Sequence, residues 1–129
     1  VHLGNEDMHY GTARKILGNS KIIGLTVHDI SEAIEAERIG ADYIGISPIF
    51  ETKTKPDAGT PAGITLIKHI KKTVKIPFVA IGGINHDNIK SVIEAGTRSA
   101  AVISAILTKD DVEKECKKFR EVIIHDSIK

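Results

Sequence analysis

Two short motifs have the composition of a backbone phosphate site. Gly82-Gly83 directly follows an apolar run that ends at Ile81, and Ile103-Ser104 ends another such run. Glycines let backbone N–H groups approach an oxyanion with no Cβ in the way, and Ser104 adds a hydroxyl group. Taken singly, the glycine pair also suits a tight turn and Ser104 suits a helix cap. Together the two motifs predict a phosphate-binding site.

A third candidate segment is rich in hydroxyl and ammonium groups. Thr52, Lys53, Thr54 and Lys55 are consecutive in a polar loop, and this combination suits a phosphate or a pyrophosphate. A solvated basic surface loop is the competing interpretation, because loops are generally exposed. The segment alone leaves both interpretations open.

An acidic residue near the start of the chain could bind a metal ion. Asp7 ends the segment Gly4-Asn5-Glu6-Asp7, directly after a short apolar stretch. Mg²⁺ needs only one or two protein carboxylates when substrate oxygens complete its coordination. Asp7 could equally cap a following helix, and on spacing alone Glu6 is as good a ligand.

Thr26 and His28 stand at the end of another apolar run, residues 21–27. We expect one of them to face the site, where Thr26 would offer a hydroxyl. His28 belongs to the residue type whose proton exchanges near neutral pH, so it is a candidate acid–base group. A hydrogen-bonded structural histidine is the alternative interpretation.

Strands and helices must bring these residues to one edge of the fold. Short β-branched runs predict parallel strands near 22–27, 42–47, 77–81 and 100–103, and Val1-His2-Leu3 is typical of the end of one more. Helical periodicity predicts helices over residues 31–39, 64–72, 86–96 and 109–124. Asp29 or Ser31 is the expected cap of the first helix, and Gly40 is its expected stop.

The alternation of strands and helices restricts the architecture. The strands are nearly continuous apolar runs, as in parallel sheets covered on both faces, and parallel neighbours require crossovers. An open doubly wound sheet and a (β/α)8 barrel both satisfy this pattern. No Gly-x-Gly-x-x-Gly turn follows any of these strands, whereas candidate phosphate motifs follow the last two, as is common in TIM barrels. We therefore expect an α/β fold of the TIM-barrel family.

The chain is too short for a whole barrel. A complete (β/α)8 barrel takes about 250 residues, whereas this chain has 129. We expect residues 1–129 to form a single partial domain. It would be about the C-terminal half of a barrel, from the end of the fourth strand through the eighth helix. Its unpaired outer strands and uncovered inner face predict self-association.

Composition argues against several classes of partner. Lys and Arg number 18 against 17 Asp and Glu, so the net charge of +1 gives no reason to expect nucleic acid or an acidic membrane. The longest apolar run, residues 100–107, is far shorter than the ~20 residues of a membrane-spanning helix. A lone cysteine excludes an internal disulfide framework and fits the cytoplasm. Cys116 lies on a helical apolar stripe, which predicts a core position for it.

Five motifs, taken in order, resemble those of thiamine-phosphate synthase. They occupy residues 2–7, 40–45, 48–55, 80–85 and 102–106. The resemblance implies a transferase of thiamine biosynthesis with Mg²⁺ as cofactor. Its small-molecule substrates would be a hydroxymethylpyrimidine diphosphate and a thiazole phosphate, and its products thiamine phosphate and pyrophosphate.

The resemblance also implies roles for individual residues. Asp7 would bind magnesium, whereas Lys55 and Thr26 would act catalytically on the pyrimidine diphosphate. The implied contacts to the thiazole phosphate are Thr52, Lys53, Thr54, Gly83, Ile103 and Ser104. The implied mechanism is dissociative: pyrophosphate departs first, and the thiazole nitrogen then traps a pyrimidine-methyl cation.

The chain departs from this family's pattern in several places. Asn5 stands where glutamine is common, Ser47 replaces a glycine, and Gly96-Thr97-Arg98-Ser99 replaces Gly-Ala-Asp-Gly. The family's first half, with pyrimidine-binding residues and another magnesium ligand, has no counterpart in these residues. Two other hypotheses therefore stay open. One is the related thiazole tautomerase, whose strand-end histidine resembles His28, and the other is a non-catalytic half-barrel that keeps the phosphate pocket.

Overall fold

A parallel sheet is the centre of the computed structural model, which describes residues 1–54 and 59–127. Within these residues the strands are β1 (His2–Leu3), β2 (Gly24–Val27), β3 (Tyr43–Ile46), β4 (Phe78–Ile81) and β5 (Ala100–Ala101). All neighbours pair in parallel, in the order β1-β2-β3-β4-β5. The predicted parallel orientation and the predicted strand at Val1-His2-Leu3 are confirmed. Strand β5 ends at Ala101, whereas the predicted strand extended over residues 100–103.

Helices follow each strand. In the described residues they are α1 (Tyr10–Leu17), α2 (Ile30–Arg38), α3 (Gly63–Thr73), α4 (Ile89–Glu94), α5 (Ser104–Leu107) and α6 (Val112–Ser127). The predicted helices correspond to α2, α3, α4 and α6. Helices α1 and α5 are not among the four predicted ranges, and α1 buries only Ala13 while α5 buries no residue. None of the helices in the described part of the chain is both long and apolar enough to cross a membrane.

The predicted boundary residues of α2 behave as their chemistry requires. The Asp29 carboxylate accepts a hydrogen bond from the Glu32 N–H at 2.8 Å, so Asp29 rather than Ser31 is the N-cap. Gly40 follows the C-cap residue with a φ of 93°. Glycine adopts this left-handed conformation without steric cost, which is why the helix stops there.

One face of the sheet is buried under the helices. Alternate residues along each strand point to the same face, and on this face Val27, Ile44 and Ile46 are no more than 1% exposed. They belong to the same buried cluster as Ile67 and Ile70 of α3. Burying each such isoleucine or valine side chain stabilises the fold by about 1.5–3 kcal/mol.

The opposite face of the sheet is only partly covered. His2 is exposed and Thr26, Tyr43 and Ile81 are half-buried on this face, which we call the open face. The sequence analysis expected strands covered on both sides. In the described residues only the helix-covered face meets that expectation.

The strand order separates the two architectures that the sequence left open. A doubly wound sheet reverses its strand order at a switch point, whereas this order runs from β1 to β5 without reversal. Right-handed crossovers in an unreversed sheet place all connecting helices on one face. The chain therefore has an α/β fold with a singly wound parallel sheet.

Helix α6 contradicts the predicted core position of Cys116. Phe119 is 4% exposed, but Cys116 is exposed. Glu115, one turn before Phe119, faces inward instead and pairs with His86 Nε2 at 2.5 Å. Hydrogen bonds from Lys118 and then from His86 lower the pKa of Glu115. A polar pair, which an apolar pattern cannot reveal, therefore sets the face of α6.

Candidate functional site

The predicted phosphate motifs meet at the carboxyl edge of the sheet. A cavity of about 110 Å³ is lined by Ser47, Thr52, Thr54, Ile81, Gly82, Gly83, Ile84, Ala101, Val102, Ile103 and Ser104. A shallower cavity of about 410 Å³ is lined by Glu51, Thr52, Lys53, Thr54, Gly83, Ile84, Asn85 and Ser104. The two cavities share lining residues from three loops. The topology thus brings together Thr52, Lys53, Thr54, Gly83, Ile103 and Ser104.

The glycine pair is a tight turn as well as a cavity wall. Gly82 and Gly83 have φ values of 101° and 65°, which other residues rarely adopt. A Cβ on Gly83 would lie 2.5 Å from the Glu51 carbonyl oxygen, and one on Gly82 would lie 2.7 Å from Pro48 Cβ. The missing side chains therefore make room for the loop after β3. The sequence analysis expected that room to serve the ligand.

Hydrogen bonds fix this turn against the loop after β3. The Ile49 N–H donates to the Ile81 carbonyl at 2.9 Å, and the Phe50 N–H donates to the Gly82 carbonyl at 3.1 Å. The Asn88 amide donates to the Gly83 carbonyl at 2.9 Å, and its oxygen accepts from the Asn85 N–H at 2.8 Å. Sequence analysis missed Asn88, although the Asn-x-x-Asn spacing at a helix start is the signal that could have revealed it.

Ser104 lies at the start of α5 but does not cap it. The N-cap residue is Ile103, which makes no side-chain hydrogen bond to the helix. The Ser104 carbonyl accepts the Thr108 hydroxyl at 2.6 Å, and Ser104 lines both cavities. The cap interpretation of Ser104 is therefore wrong, and its hydroxyl is available to the cavity.

The polar loop contributes two hydroxyls and an ammonium group. The Thr52 hydroxyl accepts a hydrogen bond from the Thr54 N–H at 3.2 Å, which gives this end of the loop a local turn. Both threonines line the two cavities, and Lys53 lines the shallower one. Lys55, the other candidate lysine, lies outside the described residues.

Asp7 closes a turn of its own. Its carboxylate accepts from the Gly4 N–H at 2.6 Å, and its own N–H donates to the Gly4 carbonyl at 3.1 Å. The N-cap of α1 is His9, whose Nδ1 accepts from the Gly11 N–H. The interpretation of Asp7 as a helix cap is therefore wrong.

A metal ion would find few protein ligands near Asp7. Among residues 1–54 and 59–127, no group of three or more histidine, cysteine or acidic side chains could hold a metal ion. Asp7 and Glu6 are both exposed. This donor set fits Mg²⁺ only where substrate oxygens supply most of its coordination, which is a common arrangement for that ion.

Thr26 belongs to a hydrogen-bonded cluster on the open face. Its hydroxyl lies 2.8 Å from His2 Nε2, and His2 Nδ1 lies 2.9 Å from the Tyr43 hydroxyl. Desolvation by the surrounding protein is the largest cause that lowers the pKa of His2. His2 and Tyr43 were not among the predicted site residues. Their position on the same sheet face as Thr26 could have revealed them, but only if the register of the strands had been known.

His28 follows the end of β2, and a hydrogen bond fixes the orientation of its ring. Its Nδ1 lies 2.6 Å from the Ser47 carbonyl oxygen, and its N–H donates to the Glu32 carboxylate at 2.7 Å. A carbonyl can only accept, so Nδ1 carries the proton in the neutral ring and Nε2 is left as an acceptor. Between Thr26 and His28, it is Thr26 that lies on the open face of the sheet.

The comparisons with known proteins agree with one another. The family model described as thiamine monophosphate synthase matches residues 1–106. Thiamine-phosphate synthase from Methanosarcina mazei is 54% identical over 123 residues, which are 95% of this chain and 51% of that protein. The protein of the same name from Methanosarcina barkeri is 51% identical, over 95% of this chain and 56% of its own length.

A solved structure extends the similarity to three dimensions. Thiamine phosphate pyrophosphorylase from Pyrococcus furiosus superimposes with a TM-score of 0.89 at 42% identity. The match covers 97% of this chain and 59% of that one. The chain thus spans about half the length of the curated relatives it matches.

Proposed function

The chain belongs to the thiamine monophosphate synthase family, and from that membership we propose that it carries the phosphate-binding part of a thiamine-phosphate synthase. The reaction is a transfer: a pyrimidine methylene group moves from its diphosphate to the nitrogen of a thiazole phosphate. The products are thiamine phosphate and pyrophosphate, within thiamine biosynthesis. The observation that carries this proposal is the convergence of Thr52, Lys53, Thr54, Gly83 and Ser104 on two adjoining cavities.

We further propose that these strands are the C-terminal part of a (β/α)8 barrel. Two observations support this: the singly wound strand order and the partly uncovered open face. In a closed barrel that face would line the interior and β1 and β5 would meet further strands. The remaining strands would come from sequence outside these 129 residues or from a second copy of the chain.

The residues have separate tasks in the proposed reaction. The cavity between β4 and β5 holds the thiazole phosphate through its hydroxyls, Lys53 and backbone N–H groups. Thr26 and Lys55 contact the diphosphate, where Lys55 stabilises the negative charge that grows on the leaving oxygen. Asp7 would hold magnesium, which when bound supplies further positive charge beside the diphosphate.

The bond changes balance without a protein nucleophile. The C–O bond between the pyrimidine methylene and the diphosphate breaks, and its electron pair leaves with pyrophosphate. The thiazole nitrogen then donates its lone pair to the methylene carbon and forms the C–N bond. Positioning and electrostatic stabilisation therefore account for what this chain's residues contribute.

A coupled assay of pyrophosphate release with both substrates tests the proposal. Release that requires both the pyrimidine diphosphate and the thiazole phosphate supports it. The chain joined to, or mixed with, the N-terminal half of a close relative is the sample in which we expect turnover. Phosphate binding with no turnover in that reconstituted sample would instead indicate a non-catalytic binding module.

His28 supports one alternative activity, that of the thiazole tautomerase relative. Its Nε2 is left as an acceptor by the hydrogen bond from Nδ1 to the Ser47 carbonyl, so this nitrogen presents a lone pair to a substrate. Isomerisation of a thiazole carboxylate phosphate, lost in His28→Gln and accompanied by no pyrophosphate release, would favour this activity. The Thr-Lys-Thr-Lys loop favours the synthase, because the tautomerase has no leaving pyrophosphate to hold.

A further inference from the structure

The proposed function assigns Thr26 to the diphosphate, and the present inference rests on that assignment. We propose that Tyr43 and His2 form a hydrogen-bond relay that turns the Thr26 hydroxyl proton toward the diphosphate oxygens. His2 and Tyr43 are thereby positioning residues for the anion. Neither residue is expected to contact the reacting carbon.

The relay crosses three neighbouring strands. His2 is on β1, Thr26 on β2 and Tyr43 on β3, and all three side chains are on the open face. The His2 ring lies between the other two groups, 2.8 Å from the Thr26 hydroxyl and 2.9 Å from the Tyr43 hydroxyl. Both distances are within hydrogen-bond range. Since each ring nitrogen has a partner, a change at Tyr43 alters what the ring offers to Thr26.

The direction of the relay follows from donor and acceptor chemistry. A neutral imidazole donates from one nitrogen and accepts at the other. A phenol is more acidic than an aliphatic alcohol, so Tyr43 is a stronger hydrogen-bond donor than Thr26. Tyr43 therefore donates to His2 Nδ1, and His2 Nε2 donates to the Thr26 oxygen.

This direction leaves the Thr26 proton free. The Thr26 oxygen accepts from the ring, so its own O–H can point away toward an anion. The reverse direction would tie that proton to His2 Nε2 and present lone pairs to the phosphate, which repels them. A diphosphate at Thr26 thus favours the same direction as the acidity of Tyr43 does.

Two strand glycines make the space in which the relay fits. A Cβ on Gly24 would lie 2.1 Å from the Tyr43 ring, and one on Gly45 would lie 3.0 Å from His2 Cε1. Glycine inside a strand is unfavourable unless another group approaches closely. The positions of Gly24 and Gly45 therefore indicate a built arrangement of rings rather than two side chains that happen to meet on a surface.

The proton position in the free protein is the first test. In ¹⁵N NMR of histidine-labelled chain, with the His2 signals assigned from their loss in His2→Gln, we expect the neutral ring to carry its proton on Nε2. The same tautomer should persist when magnesium pyrophosphate is added. A ring that carries its proton on Nδ1 would overturn the relay, whether or not the anion binds.

Affinity for magnesium pyrophosphate is the second test, measured by calorimetry. Thr26→Ala and His2→Ala should each weaken binding about tenfold, and Tyr43→Phe about threefold, because each removes one link in a charge-directed hydrogen bond. Thr26→Ser keeps the hydroxyl and should bind within twofold of the original chain. The matched controls are His69→Ala and Tyr10→Phe, which change the same residue types away from the open face and should leave the affinity unchanged.

A double-mutant cycle separates a relay from a merely structural histidine. Adding His2→Ala to Thr26→Ala should cause no further loss of affinity, since the two residues act through one hydroxyl. Additive losses would overturn the inference. Equal binding by the original chain, His2→Ala and Tyr43→Phe would overturn it too, and would leave the proposed function intact. Failure to bind magnesium pyrophosphate even when the chain is combined with the N-terminal half of a relative would count against the proposed function itself.

Discussion

The two regions at the carboxyl edge of the sheet that we propose for anion binding are built differently. Around β4 and β5, the cavity is formed by turns packed against one another, and its conformation depends on Gly82, Gly83 and Asn88. Around β1 to β3, the groups are side chains, with Asp7 in an exposed turn and Thr26 on the open face. The first region is enclosed by loops of the described residues, whereas the second lies partly on the open face of the sheet.

The two regions differ in which contacts hold them in their conformation. A turn that packs its backbone on a neighbouring loop keeps its shape wherever those two segments are present. Side chains on an uncovered sheet face are oriented only by their own neighbours and remain wet, so electrostatic attraction to a ligand is weaker there. The proposed thiazole-phosphate region should therefore depend less on further strands than the proposed diphosphate region does.

The isolated chain provides the largest test of this contrast. We expect turnover at least about a hundredfold below that of a full-length relative, because the proposed diphosphate region lies on an open sheet face and misplacement alone can cost that much. We also expect self-association, since the edge strands and the open face can meet other copies. Sedimentation and pyrophosphate release on one sample measure both. A monomer as active as full-length relatives would contradict both expectations.

Gly83→Val should break the turn-built region. Its φ of 65° disfavours a β-branched residue, and the added Cβ would meet the Glu51 carbonyl at 2.5 Å. Strain and overpacking together should lower the free energy of unfolding by about 3 kcal/mol, and phosphate binding should be lost. Denaturant unfolding measures the first effect.

Gly18→Val is the matched control for Gly83→Val. Gly18 also has a positive φ, 73°, but an added Cβ there has nothing within 4 Å. Its ψ of −175° places it in a region that is almost exclusive to glycine, so this variant should show the conformational strain alone, about 1–3 kcal/mol. If Gly18→Val and Gly83→Val lower the free energy of unfolding equally, packing against the loop after β3 is not the reason that residue 83 is a glycine.

Asn88→Ala tests whether the turn needs its side-chain anchor. The variant removes the donor to the Gly83 carbonyl and the acceptor for the Asn85 N–H. We expect a loss of about 1–2 kcal/mol in stability and an affinity for inorganic phosphate weakened about fivefold, with the affinity for magnesium pyrophosphate at Thr26 unchanged. Asn19→Ala, at an exposed position, is the control. Equal weakening of both anions would show that the two regions are not independent.

The pH dependence of stability should show the smallest effect. Partial desolvation of the ring by the surrounding protein lowers the pKa of His2 in the folded chain, despite an opposing contribution from Asp7 and with a further lowering by the N-terminal ammonium group. The unfolded chain then binds more protons, so stability is lost as the pH falls below the ordinary value of about 6.5. His2→Gln should flatten this part of the stability curve, as followed by denaturant unfolding at several pH values. An unchanged slope would contradict the assignment to His2.

Much of the fold could be predicted because its signals are local. Short β-branched runs mark the strands, and helical periodicity marks α2, α3, α4 and α6. Asp29 caps the start of α2 and Gly40 ends it. Both effects are local, since a capping carboxylate and a left-handed glycine need only adjacent residues. The convergence of residues 52–54 with Gly83 and Ser104 also followed from sequence order, because parallel strands bring all their carboxyl ends to one edge.

The other features of the fold and the site depend on the tertiary structure. Gly82 and Gly83 are required by the loop that passes beside them, and Asp7 closes its own turn while His9 caps α1. Cys116 is exposed, and Glu115 of the same helix faces inward to pair with His86 in the turn before α4. His2, Thr26 and Tyr43 meet only through the register of three strands. Each of these depends on contacts between distant parts of the chain, which a local pattern of residue types does not encode.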